Sequence, residues 1–390
     1  MRTQVAIIGA GPAGLLLSHL LAARGIDSVV VENRSRAYVE ARIRAGVLEQ
    51  NTVDLLTGAG LGVRLHAEGQ RHDGIHLQWP GERRRVDLPG LSGRSVWVYG
   101  QTEVVKDLLA ARTAAGQPLF FDVDGTTIDG VTTDRPTVRF TDADGVRRLV
   151  ECDVVAGCDG FHGVSRASIP EPLRTTWERA YPFAWLGILA DVAPSVDELV
   201  YAWHPDGFAL HSMRSPTVSR LYVQVPPDER VEEWSDDRVW EALSTRLALD
   251  GWSLRTGAVR DKGITPMRSF VGAPMRHGRL FLAGDAAHTV PPTGAKGMNL
   301  AMADVRVLDR ALGAYYDAKD AGLLEAYTDT ALRRVWRAQW FSFWMTSMLH
   351  RFSDATDFDL RRQVAELDTV VHSPSAARTL AENYVGLPLT

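Results

Sequence analysis

Cysteine is nearly missing from this chain: Cys152 and Cys158 are the only two in 390 residues. Their spacing matches no metal-ligand or redox-pair pattern, so no metal site is expected. A disulfide framework is excluded, and a reducing, cytoplasmic setting is the expectation. Long hydrophobic runs are missing too. The Trp-rich stretch from Val335 to Phe352 is interrupted by Arg337, Gln339 and His350. It is a poor membrane span and a candidate for a buried or dimer-forming helix. A large excess of one charge is also absent. The net charge is −5 and the pI about 6.1, which leaves no broad electrostatic footprint for nucleic acid. The run Arg83-Arg84-Arg85 is flanked by Glu82 and Asp87 and reads as a solvated hairpin. No secretory leader pattern is present, because Met1-Arg2-Thr3 passes directly into the apolar run Val5–Ile8.

Length and composition suit an enzyme of two domains, or of two domains and a helical tail. The clearest local pattern lies at the N-terminus. Gln4–Ile8 reads as a short strand, Gly9-Ala10-Gly11-Pro12-Ala13-Gly14 as a tight turn, and Leu15–Ala23 as a helix that Gly25 ends. Ser28–Val31 is the next strand and closes on Glu32. In a dinucleotide-binding unit Gly9 makes the turn, Gly11 lets a pyrophosphate approach, and Gly14 lets helix and strand pack closely. Glu32 lies 18 residues beyond Gly14, where an acid can take the ribose hydroxyls of an adenosine. This unit alone does not separate FAD from NAD.

Two further segments narrow the choice. In GDAAHTVPPTGAKGMNLAMA (284–303), Gly284-Asp285 would end a strand, with Asp285 placed to hydrogen-bond a ribose hydroxyl. A loop rich in Pro and Gly follows (Pro291, Pro292, Gly294, Gly297), and then an apolar helix starts near Asn299. Such a layout aims the free N–H groups of a helix N-terminus at an anionic group above it. The other segment, Cys158-Asp159-Gly160-Phe161-His162-Gly163-Val164-Ser165-Arg166, follows the strand-like run Asp153–Ala156.

The three motifs in this order resemble the group A flavoprotein monooxygenases, the flavin-dependent aromatic hydroxylases. The likeness runs almost end to end with members that act on 4-hydroxybenzoate. It is carried also by RIRAGVLEQ (42–50), VYGQTEV (98–104), YPFAWLG (181–187), GFALHSMRS (207–215), SRLYVQVP (219–226) and AENYVGLP (381–388). The resemblance implies an α/β fold: a Rossmann-like FAD-binding domain, a β-sheet substrate domain and a C-terminal helical region. The expected boundaries are 1–180 for the FAD domain, with substrate-site loops near 70–95, then 181–268 for the β-rich domain. Residues 269–390 would hold the second FAD-contact segment and a helical dimer interface. The implied reaction uses non-covalent FAD, NADH or NADPH, and O2 to convert 4-hydroxybenzoate to 3,4-dihydroxybenzoate. Two alternatives stay open: another phenolic acid, such as 3,4-dihydroxybenzoate itself, as the substrate, or an FAD-dependent reductase.

The resemblance also assigns roles. Between Phe208 and Gln224 two strand-like runs are joined by the turn-rich stretch Ser215–Ser219. Period-two alternation puts Ser212 with Arg214 on one face, and Arg220 with Tyr222. Ser212 is expected roughly opposite Tyr222, so that a guanidinium and two hydroxyls converge on a substrate carboxylate. At the phenol end Tyr201 would accept the substrate hydroxyl's hydrogen bond. Tyr384 would extend the chain of hydroxyls, and His72 would receive the proton at the solvent end. The Pro292 carbonyl and Thr293 would face the reacting edge.

For the flavin, the implied contacts are Arg44 and Gln101 at the phosphates, Glu32 and Asp285 at the sugars, and Asn299 near the ring. Val47, Asp159, Arg220, Gly297 and Met298 complete the set, with Lys296 adding positive potential. Arg42, His162, Arg166 and Arg268 are the expected contacts to the nicotinamide cofactor. Its preference would be read by Asn33–Tyr38, where Arg34 and Arg36 could meet a 2′-phosphate while Asn33 and Glu40 speak less clearly for one, a slight lean towards NADH acceptance. Trp203 and His211 depart from the familiar pattern; they either face outward or tune substrate choice.

Overall fold

The computed structural model describes residues 1–42 and 46–388. Its first layer is a six-stranded sheet with the order Arg276–His277, Leu280–Leu282, Val154–Gly157, Val5–Ile8, Ser28–Val31, Leu119–Phe120. All neighbours are parallel except the first pair. The short Val-rich runs are buried along their whole length, as expected for parallel strands covered on both faces. Helices Pro12–Ala23, Gln101–Ala114 and Gly297–Ala318 pack with this sheet around one apolar core. The first of these helices begins three residues before the expected Leu15, because Pro12 suits the first helical turn. Helix Gly297–Ala318 starts two residues before the expected Asn299.

The second large sheet has eight strands. Its order is His288–Thr289, Ala258–Ala273, Thr175–Asp191, Val218–Val225, Ala209–Ser215, Leu199–Ala202, Gly74–Trp79, Glu82–Asp87. The last two strands form the hairpin that carries Arg83-Arg84-Arg85. Those arginines are tied to Gln78, Glu82 and Glu198. One face of the sheet packs under helix Asp236–Arg246. The other packs against helices Tyr327–Leu349, Asp357–His372 and Pro374–Val385. Trp203 and His211 lie on covered parts of these faces and are buried, which corrects their reading as outward-facing. Trp203 donates its indole N–H to Gln363 Oε1 at 3.0 Å, and His211 Nε2 accepts from the Ser195 amide at 3.0 Å. A three-stranded sheet, Val47–Glu49, Val96–Val98 and Gln70–His72, carries His72. Among the described residues no helix is long and apolar enough to cross a membrane.

Candidate active site

The parallel strands bring the three motifs to one edge. Ile8, Val31, Gly157 and Leu282 all end on the C-terminal side of the sheet, so the segments that follow them meet there. Gly9 has φ +104°, and a Cβ on it would lie 2.4 Å from the Cys158 carbonyl oxygen. A Cβ on Gly14 would lie 2.0 Å from the Gly9 carbonyl oxygen, so helix and strand are in direct backbone contact. A Cβ on Gly11 would meet nothing within 4 Å. Glu32 accepts from the Ala10 amide at 2.8 Å and from the Arg34 amide at 2.9 Å, which sets its carboxylate against the loop. Asp159 accepts from the Ser165 amide at 2.8 Å. Its other oxygen is buried without a hydrogen-bond partner among the described residues, and burial raises its pKa. An open cradle beside a glycine loop, an acid at the adenosine position and an orphaned carboxylate oxygen together fit a dinucleotide.

Asp285 is exposed in the turn Gly284–Ala286 at the same edge. Gln101 opens helix Gln101–Ala114. Arg44 lies outside the described residues. Phe161 organises the expected nicotinamide contacts. Arg166 and Arg268 sit over its ring at 4.7 and 4.5 Å, and the exposed His162 packs edge-on at 4.9 Å. Both Arg166 Nη groups are taken by the carbonyls of Ala286 and Phe161, at 2.9 and 2.6 Å. Arg166 thus latches the Asp159 loop to the Asp285 turn. Arg42 is exposed just after helix Arg36–Ala41. In that helix Arg36 is paired with Glu40 at 2.8 Å, and Arg34 lies over the Tyr38 ring.

A second pocket opens between the eight-stranded sheet, the Gly46–Val47 segment and the Pro292–Ala295 loop. It encloses about 480 Å³ including its mouth. Tyr201, Ser212, Arg214, Arg220, Tyr222 and Pro292 all line it. Strand register explains this: Tyr201 pairs with Leu210, and Leu210 with Tyr222, so their side chains share a face. Ser212 pairs with Arg220, a correction of two residues to the expected partner Tyr222. The reason is a tighter turn than expected, with only Pro216 and Thr217 between Ser215 and Val218, and an irregularity near Arg214. Ser212 donates to the Arg220 carbonyl at 2.7 Å, and Tyr222 accepts from Arg220 Nε at 3.2 Å. Arg220 Nη1 is buried without a hydrogen-bond partner among the described residues. Burial lowers the Arg214 pKa, and neighbouring Arg220 lowers it further. No Asp or Glu is among the described lining residues. The unsatisfied Arg220 nitrogen, with Arg214 on the same wall, gives the pocket a positive end suited to an anion.

Beside this cluster the Tyr201 hydroxyl lies 2.7 Å from that of Tyr384. Both tyrosines are buried, and burial raises both pKa values, so both stay neutral. Lys296 does not stand free: it pairs with Glu49 at 2.7 Å and donates to the carbonyls of Asn383 and Tyr384. Arg334 holds the other Glu49 oxygen at 3.0 Å. Asn299 spends its amide on the Val47 and Ala295 carbonyls and the Glu49 N–H. It locks the helix start, with Gly297 and Met298 in its first turn, to strand Val47–Glu49. The Thr293 hydroxyl is buried and accepts from Thr346 at 3.0 Å. His72, expected at the solvent end of the chain, does not reach solvent. It is buried, its ring nitrogens have no partner among the described residues, and burial pulls it down to about 4.

Comparison with known proteins then decides the family. A family model described as an FAD binding domain matches residues 2–342. p-Hydroxybenzoate hydroxylase from Acinetobacter baylyi is 51% identical over 390 residues, covering 100% of this chain and 96% of that protein. This chain belongs to the FAD-binding aromatic hydroxylase family. The flavin monooxygenase is also 28% identical to 3-amino-4-hydroxybenzoate 2-monooxygenase from Streptomyces cremeus, over 80% of this chain and 79% of that one. Among solved structures, p-nitrophenol 4-monooxygenase from Pseudomonas putida matches it with a TM-score of 0.86 at 19% identity, covering 99% of both chains. That likeness is one of fold.

Sequence reasoning missed Trp185, which lines the pocket and stacks against Phe208. Its indole N–H donates to His350 Nε2 at 2.7 Å. The available signal was its period-two relation to Gly187, which pairs with Tyr222. A Cβ on Gly187 would lie 2.8 Å from Arg220 Nη2, so the glycine makes room for that guanidinium.

Proposed function

We propose that this flavin monooxygenase hydroxylates 4-hydroxybenzoate at the 3-position. One O2 and one NAD(P)H with a proton are consumed, giving 3,4-dihydroxybenzoate, NAD(P)+ and water. The reading rests on one observation above the rest: a single pocket is lined by Tyr201, whose hydroxyl is backed by that of Tyr384, and, farther along the same sheet, by Ser212, Arg214, Arg220 and Tyr222. Tyr201 is level with Leu210, so Ser212 lies about 7 Å farther along the strand. That span suits a para-substituted benzoate with its carboxylate at the arginines and its phenol at Tyr201.

The bound flavin supplies hydride uptake from the nicotinamide and activation of O2. This chain's residues do the rest. Arg214 and the Tyr222 hydroxyl fix the carboxylate and hence the ring, and the Ser212 hydroxyl joins them by turning its proton away from the Arg220 carbonyl. The Tyr201 oxygen accepts from the substrate phenol while its own proton is donated to Tyr384, which stabilises the phenolate and enriches its ortho carbon in electron density. Trp185, Leu199, Leu210 and Met213 keep the ring dry. Pro292 and Thr293 bound the reacting edge, and His72 is proposed as the outer proton acceptor. Glu32, Gln101, Asp159 and Asp285 would hold the FAD, with Arg44. Arg42, His162, Arg166 and Arg268 would meet the nicotinamide cofactor. The Arg36–Glu40 pair supports use of NADH, since one of the two cations offered to a 2′-phosphate is already engaged.

In this reading residues 1–180 form the FAD domain, 181–268 the substrate domain, and 269–390 the second FAD segment and dimer interface. Trp336, Trp340 and Phe343 on helix Tyr327–Leu349, together with Trp177, are exposed and support a homodimer. Sedimentation of the purified protein checks the dimer. The activity is tested by oxidation of NADH and, separately, NADPH, with and without 4-hydroxybenzoate, and by identifying the product. Failure of 4-hydroxybenzoate to stimulate oxidation would remove the substrate assignment.

A further inference from the structure

Another cavity lies behind Lys296, between helix Gly297–Ala318, helix Tyr327–Leu349 and the segment 383–388, and encloses about 1350 Å³ including its mouth, against about 480 Å³ for the substrate pocket. It shares no lining residue with the substrate pocket. Its walls are cationic to an unusual degree. Arg306 and Arg310 stand one turn apart on the first helix, and Arg333 and Arg337 one turn apart on the second. With Arg334 and Lys296 they make six cationic side chains against two acids, Glu49 and Asp304.

The two acids are already engaged. Glu49 is held by Lys296 and Arg334, and Asp304 by His288 and the Gly284 amide. No ion pair or hydrogen bond reaches Arg306, Arg310, Arg333 or Arg337 from the described residues. Arg24, Arg64, Arg85 and Arg148, by contrast, each grip a carboxylate. Four unengaged guanidiniums facing one cavity repel one another, and an anion between them relieves that cost. The same cavity has apolar walls, among them Leu300, Phe341 and Leu387. An inorganic ion would leave those walls unused. A ligand with carboxylates at both ends of a short hydrocarbon body would use both the two arginine pairs and the apolar surface.

We propose that this cavity binds a small organic dicarboxylate, at a site separate from that of the aromatic substrate. The test is calorimetric titration of the FAD-loaded protein with glutarate, and in separate runs with butyrate and with inorganic phosphate. Each is repeated on the double variant Arg310→Gln/Arg337→Gln. Saturable uptake of one glutarate per chain is expected, weakened at least tenfold in the variant, with butyrate and phosphate at least tenfold weaker than glutarate. Both substituted residues are exposed, so the variant is expected to keep the flavin spectrum and melting temperature of the parent. If it does not, Arg310→Gln alone serves the same comparison. Absence of saturable glutarate binding overturns the proposal, as does equal affinity in parent and variant. Phosphate or butyrate binding as tightly as glutarate would remove the dicarboxylate assignment.

Discussion

The hydroxyl of Tyr201 lies 2.7 Å from the hydroxyl of Tyr384, although 183 residues of chain separate them. One stands on a central strand of the large sheet and the other on helix Pro374–Val385. Lys296 braces the helix by donating to the Tyr384 carbonyl at 3.0 Å. A two-hydroxyl chain thus runs from the Tyr201 wall of the pocket to Tyr384 behind it.

Replacing Tyr201 with Phe removes the acceptor of the phenol's hydrogen bond and little volume. Tyr201→Phe is expected to bind substrate and accept hydride, yet to form product about 10² to 10⁴ times more slowly. Oxygen uptake should then yield mostly hydrogen peroxide. The ratio of product formed to NAD(P)H consumed measures this, and a fully coupled variant would falsify the role of Tyr201.

Arg214→Ala is expected to weaken substrate binding by about 2–5 kcal/mol, because a half-buried carboxylate loses its charged partner. Titration of the flavin absorbance gives the dissociation constant directly. An unchanged constant would mean that the carboxylate sits elsewhere.

Gly187→Ala probes the same cluster from behind. The added Cβ would meet Arg220 Nη2 at 2.8 Å, so the guanidinium must shift. A modest loss of substrate affinity, about threefold to thirtyfold, is expected with the fold intact. The same absorbance titration, together with a melting curve, separates the two effects; wild-type affinity would show that Arg220 moves without consequence.

Three buried histidines weaken the fold towards acid, against a fourth, His288, which Asp304 holds above its ordinary pKa despite burial. Burial pulls His72 and His211 down to about 4, and His350 down to about 3. The folded state therefore holds them neutral, whereas the unfolded chain takes up protons from about pH 6.5 downward. Stability is fully present above that pH and declines as pH falls from 6.5 towards 4, with each residue withdrawing on the order of 3 kcal/mol. Melting temperature measured from pH 7.5 to 4.5 should fall steeply over this window. His72→Asn should make the fall shallower, and an unchanged slope would exclude His72 as a contributor.

Coenzyme choice is tested at an exposed pair. Glu40→Ala frees Arg36, which Glu40 holds at 2.8 Å, and should improve kcat/KM for NADPH relative to NADH by about twofold to tenfold. A constant ratio would place the discrimination outside this helix.

The glycine loop, the strands Val5–Ile8 and Ser28–Val31 and the helix between them were legible because their signals are local. A glycine that must adopt a positive φ, or accept a neighbour's backbone, leaves its mark at its own position. Alternation likewise put Ser212, Arg214, Arg220 and Tyr222 on one face before any strand was placed. The register was not legible, since it depends on a turn of two residues and an irregularity at Arg214 that no residue type announces. Burial of His72, His211 and Trp203 was hidden for a similar reason. A polar or amphipathic side chain in a strand shows nothing of the layer that will cover it.

By itself, then, the order of residues determined the dinucleotide unit, the family motifs and the set of side chains proposed to hold a phenolic acid. Only tertiary structure decided that Tyr201 meets Tyr384, that Lys296 is spent on Glu49, and that five arginines and Lys296 line one cavity behind the active site. Each of these pairs elements far apart in the chain. Such contacts follow from how sheets and helices stack to bury apolar surface, and no local pattern of residues encodes that stacking.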